Sequence, residues 1–127
     1  MLQRIEERHC SDERGNPAGG DTTGTGISIK WQDGPLGRGP DRKEPNGAFV
    51  EGVLQAALGR LEYYQRSQFS CRENACAITK IEEALHWLES RTNKRERLGI
   101  EGTHATEGRL AMASPEYGGK MADPRLR

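Results

Sequence analysis

At 127 residues, of which 33% are hydrophobic and 30% charged, the chain can build one small domain with a modest core and no more. Its 19 basic and 19 acidic side chains cancel to a net charge of zero, which removes any bulk attraction to long nucleic acid or an anionic membrane. No apolar run nears the ~20 residues that a membrane span needs, so an anion site, if there is one, has to be local.

Residues 1–24 are rich in Arg, Glu, Gly, Asp and Thr without apolar periodicity, which predicts a disordered segment. Cys10, Cys71 and Cys76 are odd in number and follow no signal-peptide pattern, so a cytosolic setting is expected. Cys71 and Cys76 stand five apart on one predicted helix and face different ways. They are expected to be small buried side chains rather than a disulfide.

In "GISIKWQDGPL", Ile27, Ile29 and Trp31 alternate with Ser28, Lys30 and Gln32, the period of a half-buried strand. Asp33-Gly34-Pro35 then reads as a turn, and "GRGPDRKEP" as a polar loop that could close as a flap. Asn46 stands where a helix N-cap belongs. Beyond it Val50, Val53, Leu54, Ala57, Leu58, Leu61 and Tyr64 recur at helical spacing. "SCRE" offers a capping box from Ser70 to Glu73. It opens a second helix striped by Ala77, Ile78, Ile81, Ala84, Leu85 and Leu88.

The link between these helices is only a few residues long, which forces an antiparallel hairpin. The expected fold class is therefore α+β: a small N-terminal β element followed by a long antiparallel two-helix hairpin. Two helices cannot enclose both of their own stripes, and Phe49, Tyr63, Tyr64 and Trp87 would stay partly exposed. Such a surface predicts a homo-oligomer with ligand sites between subunits.

Arg91, Lys94, Arg95 and Arg97 crowd the end of the second helix, ahead of "LGIEGTH". The plain reading is that cations favour a helix C-terminus by roughly 0.3–1 kcal/mol each, with Gly99 as the residue that ends the helix. The functional reading is that guanidinium forks hold phosphate while glycine lets backbone amides approach the same anion. Aromatic residues at helical spacing are more often core or interface than stacking platforms, and stacking on a base gains weight only beside a phosphate clamp. His9, His86 and His104 have no metal-ligand spacing with the cysteines. Glu82 and Glu83 diverge on their helix and cannot act as a dyad. These residues point to binding, with no catalysis, cofactor or metal expected.

Four stretches, "ISIKWQDGPL", "NGAFVEGVLQAALGRLEYYQ", "ENACAITKIEEALHWLESRT" and "RERLGIEGTH", resemble a phage family, the first Thoeris anti-defence protein. That family shares its helical hairpin domain with the anti-CBASS cyclic-nucleotide sponge. The likeness runs over residues 25–105 and is most specific in R-T-x-x-R-E-x-x-G-[IV]-E-G-T-H. It implies a sponge in the host cytoplasm that sequesters cyclic ADP-ribose isomers made by TIR-domain proteins, without degrading them. Cyclic di- or trinucleotides would occupy a second site, and dimers or hexamers would form the pockets between chains.

On that resemblance residues 25–104 are one sponge domain: β element and loop at 25–45, hairpin at 46–97, ligand loop at 98–104. Residues 105–127 are a tail. Arg91, Arg95 and Arg97 would offset the phosphates, with Thr92 in the same motif. Gly102, Thr103 and His104 would reach ribose or phosphate oxygens, and Phe69 or Trp31 would stack on the base. Arg60 with Arg91 would form the cyclic-oligonucleotide site. The rival readings are a nucleic-acid-binding module using the 91–97 run, which Glu96 and Glu101 disfavour, an enzyme that hydrolyses the signal, and a structural phage oligomer without ligand.

Overall fold

A computed structural model of the chain describes residues 1–106. Three strands, β1 (Glu6–Ser11), β2 (Pro17–Gly24) and β3 (Ile27–Lys30), form an antiparallel sheet in the order β1-β2-β3. Two helices follow, α1 (Val50–Gln65) and α2 (Arg72–Arg97), joined as a hairpin. The described residues divide into two compact units: residues 1–34 with 45–90, and residues 35–44 with 91–106. The α+β class with an N-terminal sheet and a helical hairpin is as expected.

β1 and β2 correct the expectation that residues 1–24 are disordered. β1 is largely exposed, and β2 is half-buried mainly through glycines, Asp21 and Thr22 rather than large apolar side chains, so no apolar alternation announces them, and polar pairing helps to hold them. The Asp12 carboxylate accepts the amides of Arg14 and Asn16, each at 2.9 Å, and bends the chain between the strands. Arg8 and Asp21 face each other across the ladder and join at 2.7 Å, which raises the Arg8 pKa through that hydrogen bond. Gly20 has φ +129°, and a Cβ there would run into the Arg8 carbonyl oxygen, so only glycine lets the two strands meet. The register slips between His9 and Ser11.

β3 carries the alternation read from the sequence: Ile27, Ile29 and Trp31 are half-buried while Ser28 and Lys30 are exposed. The Trp31 indole N–H donates to Thr22 Oγ1 at 2.8 Å, and Thr22 is buried at 8% exposure. Trp31 also bridges to Ala48, so the segment leading into α1 lies against the end of the sheet.

Asn46 does not cap α1. The N-cap is Phe49, with no side-chain cap bond. Asn46 instead clasps the backbone of Asp33, accepting its N–H at 2.8 Å and donating to its carbonyl at 3.1 Å. At the start of α2 a cap bond falls one residue later than the box expected from Ser70 to Glu73. α2 begins at Arg72, and the Asn74 amide donates to Cys71 Sγ at 3.4 Å. Gln65 closes the hairpin turn by accepting the Cys71 N–H at 2.9 Å and donating to its carbonyl at 3.1 Å.

Cys71 and Cys76 are exposed, not buried as expected, and Cys10 is half-buried; all three are free thiols. The expected stripe of α2 is present: Ala77, Ile78, Ile81, Ala84, Leu85 and Leu88 are all half-buried. On α1, Val53, Leu54, Leu58 and Leu61 are half-buried, whereas Val50, Ala57 and Tyr64 are exposed. Neither helix buries a single residue fully. Among the described residues Ile100 is the only buried hydrophobic side chain, and no helix is long and apolar enough to cross a membrane. From residue 107 onward, the expected tail lies outside the described residues.

Candidate ligand-binding site

The second unit is organised by how α2 ends. Gly99, at φ +73°, takes the left-handed turn that stops the helix. Its N–H donates to the Glu96 carbonyl at 3.0 Å, and the Ile100 N–H reaches the Arg95 carbonyl at 3.0 Å. This pair of bonds is the Schellman motif, which satisfies carbonyls that a helix end leaves open. Ile100, the residue after this turn, is buried at 4% exposure.

Past Ile100 the chain curls back on itself. The Thr103 N–H donates to the Ile100 carbonyl at 3.1 Å, and the Thr103 hydroxyl donates to the same oxygen at 2.6 Å. The Ala105 N–H in turn donates to Thr103 Oγ1 at 3.2 Å. Arg95 fills the curl: its guanidinium donates to the carbonyls of Ala105 at 3.0 Å, Ile100 at 3.2 Å and Thr103 at 3.0 Å. One of the crowded cations is therefore offset by backbone oxygens, a charge-assisted arrangement that orders the loop.

The 35–44 segment, expected as a free flap, is tied to this loop. It contains a short 3-10 helix at Gly39–Asp41. The Gly37 N–H donates to the Gly102 carbonyl at 2.8 Å. Gly102 sits at φ +80°, and a Cβ on it would collide with the Gly37 carbonyl oxygen. Arg42 grips the Glu101 carboxylate with two bonds of 2.6 and 2.9 Å, and Arg38 donates to the Glu101 carbonyl at 2.9 Å. The Arg42 fork holds the Glu101 carboxyl below its ordinary pKa, with Arg38 and Arg95 adding to the effect, and it raises the pKa of Arg42.

Of the residues singled out from the sequence, Arg91, Thr92, Arg95, Arg97, Gly102, Thr103 and His104 lie in this unit. Arg91, Arg97 and His104 are exposed, while Thr92 is half-buried. Arg60, Trp31 and Phe69 lie in the other unit. There the Arg60 guanidinium rests over the rings of Tyr63 and Tyr64, 5.0 and 4.9 Å from their centroids. Its Nε donates to the Tyr64 hydroxyl at 3.1 Å. Phe69 is 69% exposed at the hairpin turn. Sequence reasoning missed Arg38 and Arg42. Their partner is 59 or more residues away, and a polar loop gives no local sign of such a pairing. Among the described residues no group of three or more His, Cys, Asp and Glu side chains is placed to hold a metal ion.

Comparison with known proteins places the chain in a family. The chain is 45% identical over 84 residues to Thoeris anti-defense 1 of Bacillus phage SBSphiJ7. The alignment covers 66% of this chain and 56% of that protein, so the chain spans little more than half the length of this relative. Residues 27–93, from β3 to the penultimate turn of α2, match the family model described as the Acb2/Tad1 hairpin domain. With more than half of its length inside that match, the chain belongs to the Acb2/Tad1 hairpin-domain family.

Proposed function

We propose that the chain is a phage anti-defence protein that captures a cyclic nucleotide immune signal of the cyclic ADP-ribose type and keeps it intact. It would act in the host cytoplasm as a homo-oligomer, a dimer or a hexamer. The observation that carries this reading is the family membership, joined to a 45% identical relative whose name is Thoeris anti-defense 1. The local chemistry agrees with it. A pyrophosphate asks for fixed cations, and Arg91 and Arg97 are exposed on the last turns of α2, the helix whose Arg95 holds the curl that follows.

In this reading Arg91, Arg97 and His104 meet the ligand's charge and oxygens, while Arg95, Gly102 and Thr103 frame the loop. Phe69 is better suited than Trp31 to stack on a base, because its ring is 69% exposed while Trp31 is half-buried. Arg60, steadied by two tyrosines, is the cation offered to a cyclic di- or trinucleotide at a second site. Silencing a signal present at micromolar levels calls for a nanomolar Kd, about −12 kcal/mol. A loop ordered before the ligand arrives reduces the ordering cost of binding.

The test is capture followed by release. Purified protein is titrated with cyclic ADP-ribose isomers in a calorimeter, then heated, and the freed compound is weighed by mass spectrometry. Nanomolar binding and an unaltered mass are expected, with Arg91→Ala weakening capture at least about tenfold, equivalent to about 1.4 kcal/mol. No heat with any isomer, or a cleaved product, defeats the reading.

A further inference from the structure

We infer that the Arg42–Glu101 fork is a latch, a pair of positioning residues that sets the 98–104 loop by pinning it to the 35–44 segment without touching the captured molecule. The inference rests on the capture reading above for its functional consequence, and on geometry alone for the latch itself.

The loop has little apolar packing to hold it, since Ile100 is its one buried side chain. Its shape therefore depends on polar ties from two directions. From the helix side Arg95 binds three carbonyls of the curl. From the other side come the two fork bonds from Arg42, the Arg38 bond to the Glu101 carbonyl, and the Gly37–Gly102 backbone bond. The fork stands out among these. The Glu101 side chain is only 18% exposed and receives two near-parallel bonds from one guanidinium, a geometry Lys cannot reproduce. Arg42 also donates to the Gly37 carbonyl at 3.2 Å, so one side chain gathers both segments.

A competing use of the same cluster would be a cation site that Glu101 fills until a phosphate displaces it. The latch is favoured because the backbone of residues 101 and 102 is bound as well, through Arg38 and Gly37. A ligand that displaced the carboxylate would leave those main-chain ties in place. The two uses also predict opposite signs on Glu101→Gln. Removing a latch leaves the binding-competent loop only fractionally populated, so association slows in proportion to that fraction. Removing a placeholder speeds association.

The experiment compares wild type, Glu101→Gln, and the swapped pair Arg42→Glu with Glu101→Arg, as intact chains. Amide exchange is read at Gly37, which donates to Gly102, and at Trp31, which donates to Gly20 in the sheet. Association and dissociation rates are read with a cyclic ADP-ribose isomer. Glu101→Gln is expected to speed Gly37 exchange about tenfold with Trp31 unchanged. It should slow association about tenfold with dissociation unaltered, and the swapped pair should recover most of both. Unchanged Gly37 exchange overturns the latch. So does faster exchange with association as in wild type, and so does faster association. A wild-type chain that captures no isomer overturns the capture reading instead, while the exchange arm still decides whether the fork holds the loop.

Discussion

Glu101 and Arg95 show how little a side chain's type says about its use. Glu101, next to a cationic run, counts in sequence only as a charge that disfavours nucleic-acid binding; in the fold it is the acceptor for a guanidinium reaching from residue 42. Its pKa is depressed below the ordinary 4.5, first by the Arg42 hydrogen bond, which outweighs the opposing push from burial, and further by the charges of Arg42, Arg38 and Arg95. A carboxylate with a lowered folded pKa stabilises the fold above its unfolded pKa and loses that contribution as pH falls through the folded value. The tie between the 98–104 loop and the 35–44 segment should therefore hold at neutral pH and weaken only well into acid. A titration followed at the Glu101 carboxyl carbon by NMR should give a midpoint below about 4.5 in wild type. In Arg42→Ala it should return towards that ordinary value. Equal midpoints in the two proteins would remove Arg42 as the cause.

At the scale of elements, the hairpin turn gives the clearest case of one side chain replacing a standard cap. Gln65 holds both the N–H and the carbonyl of Cys71, joining the end of α1 to the residue before α2. Both bonds are exposed, so Gln65→Ala should lower stability by about 1 kcal/mol, the usual net size of a neutral hydrogen bond. Gln65→Glu keeps the acceptor and loses the donor, and should fall between. Urea denaturation midpoints measure both, and an unshifted Gln65→Ala would show the turn to be held without this residue. The same turn explains what sequence could and could not convey. The α2 stripe was legible because every fourth or third position is apolar and all six of its residues are half-buried. Gly99 was legible as a helix stop because its left-handed φ has a sequence signature. The caps were not, since Asn46 and Ser70 look like caps whatever their side chains bind. β1 and β2 were not, because polar cross-strand pairs and the Asp12 turn replace the alternation that announces a strand. The loop's cations were legible as a cluster. Arg95's partners were not, because three backbone carbonyls leave no trace in composition.

For the molecule as a whole, burial is the deciding quantity. Among the described residues Ile100 and Thr22 are the only buried ones, and one of them is polar. The described residues therefore hold no apolar core of the usual kind, while α1 presents half-buried Val53, Leu54, Leu58 and Leu61 and α2 half-buried Ile78, Ile81, Leu85 and Leu88, with Trp87 77% exposed. Fully burying one leucine or isoleucine is worth about 1.5–3 kcal/mol, so leaving two stripes half in water forgoes much of what a chain of this size needs to stay folded. Further copies of the same chain could cover both stripes, because a self-complementary face closes into a symmetric assembly. Leu85 is the place to test this, since it is half-buried at the middle of the α2 stripe and an aspartate there would carry charge into any such contact. Sedimentation equilibrium should find the wild-type chain at a multiple of its monomer mass. Leu85→Asp should run as monomer with a lowered melting temperature, and Arg91→Ala should assemble as wild type does. A wild-type chain that sediments as a monomer at high concentration and still captures ligand would mean that the stripes serve something other than self-assembly, and that a single copy can enclose the signal.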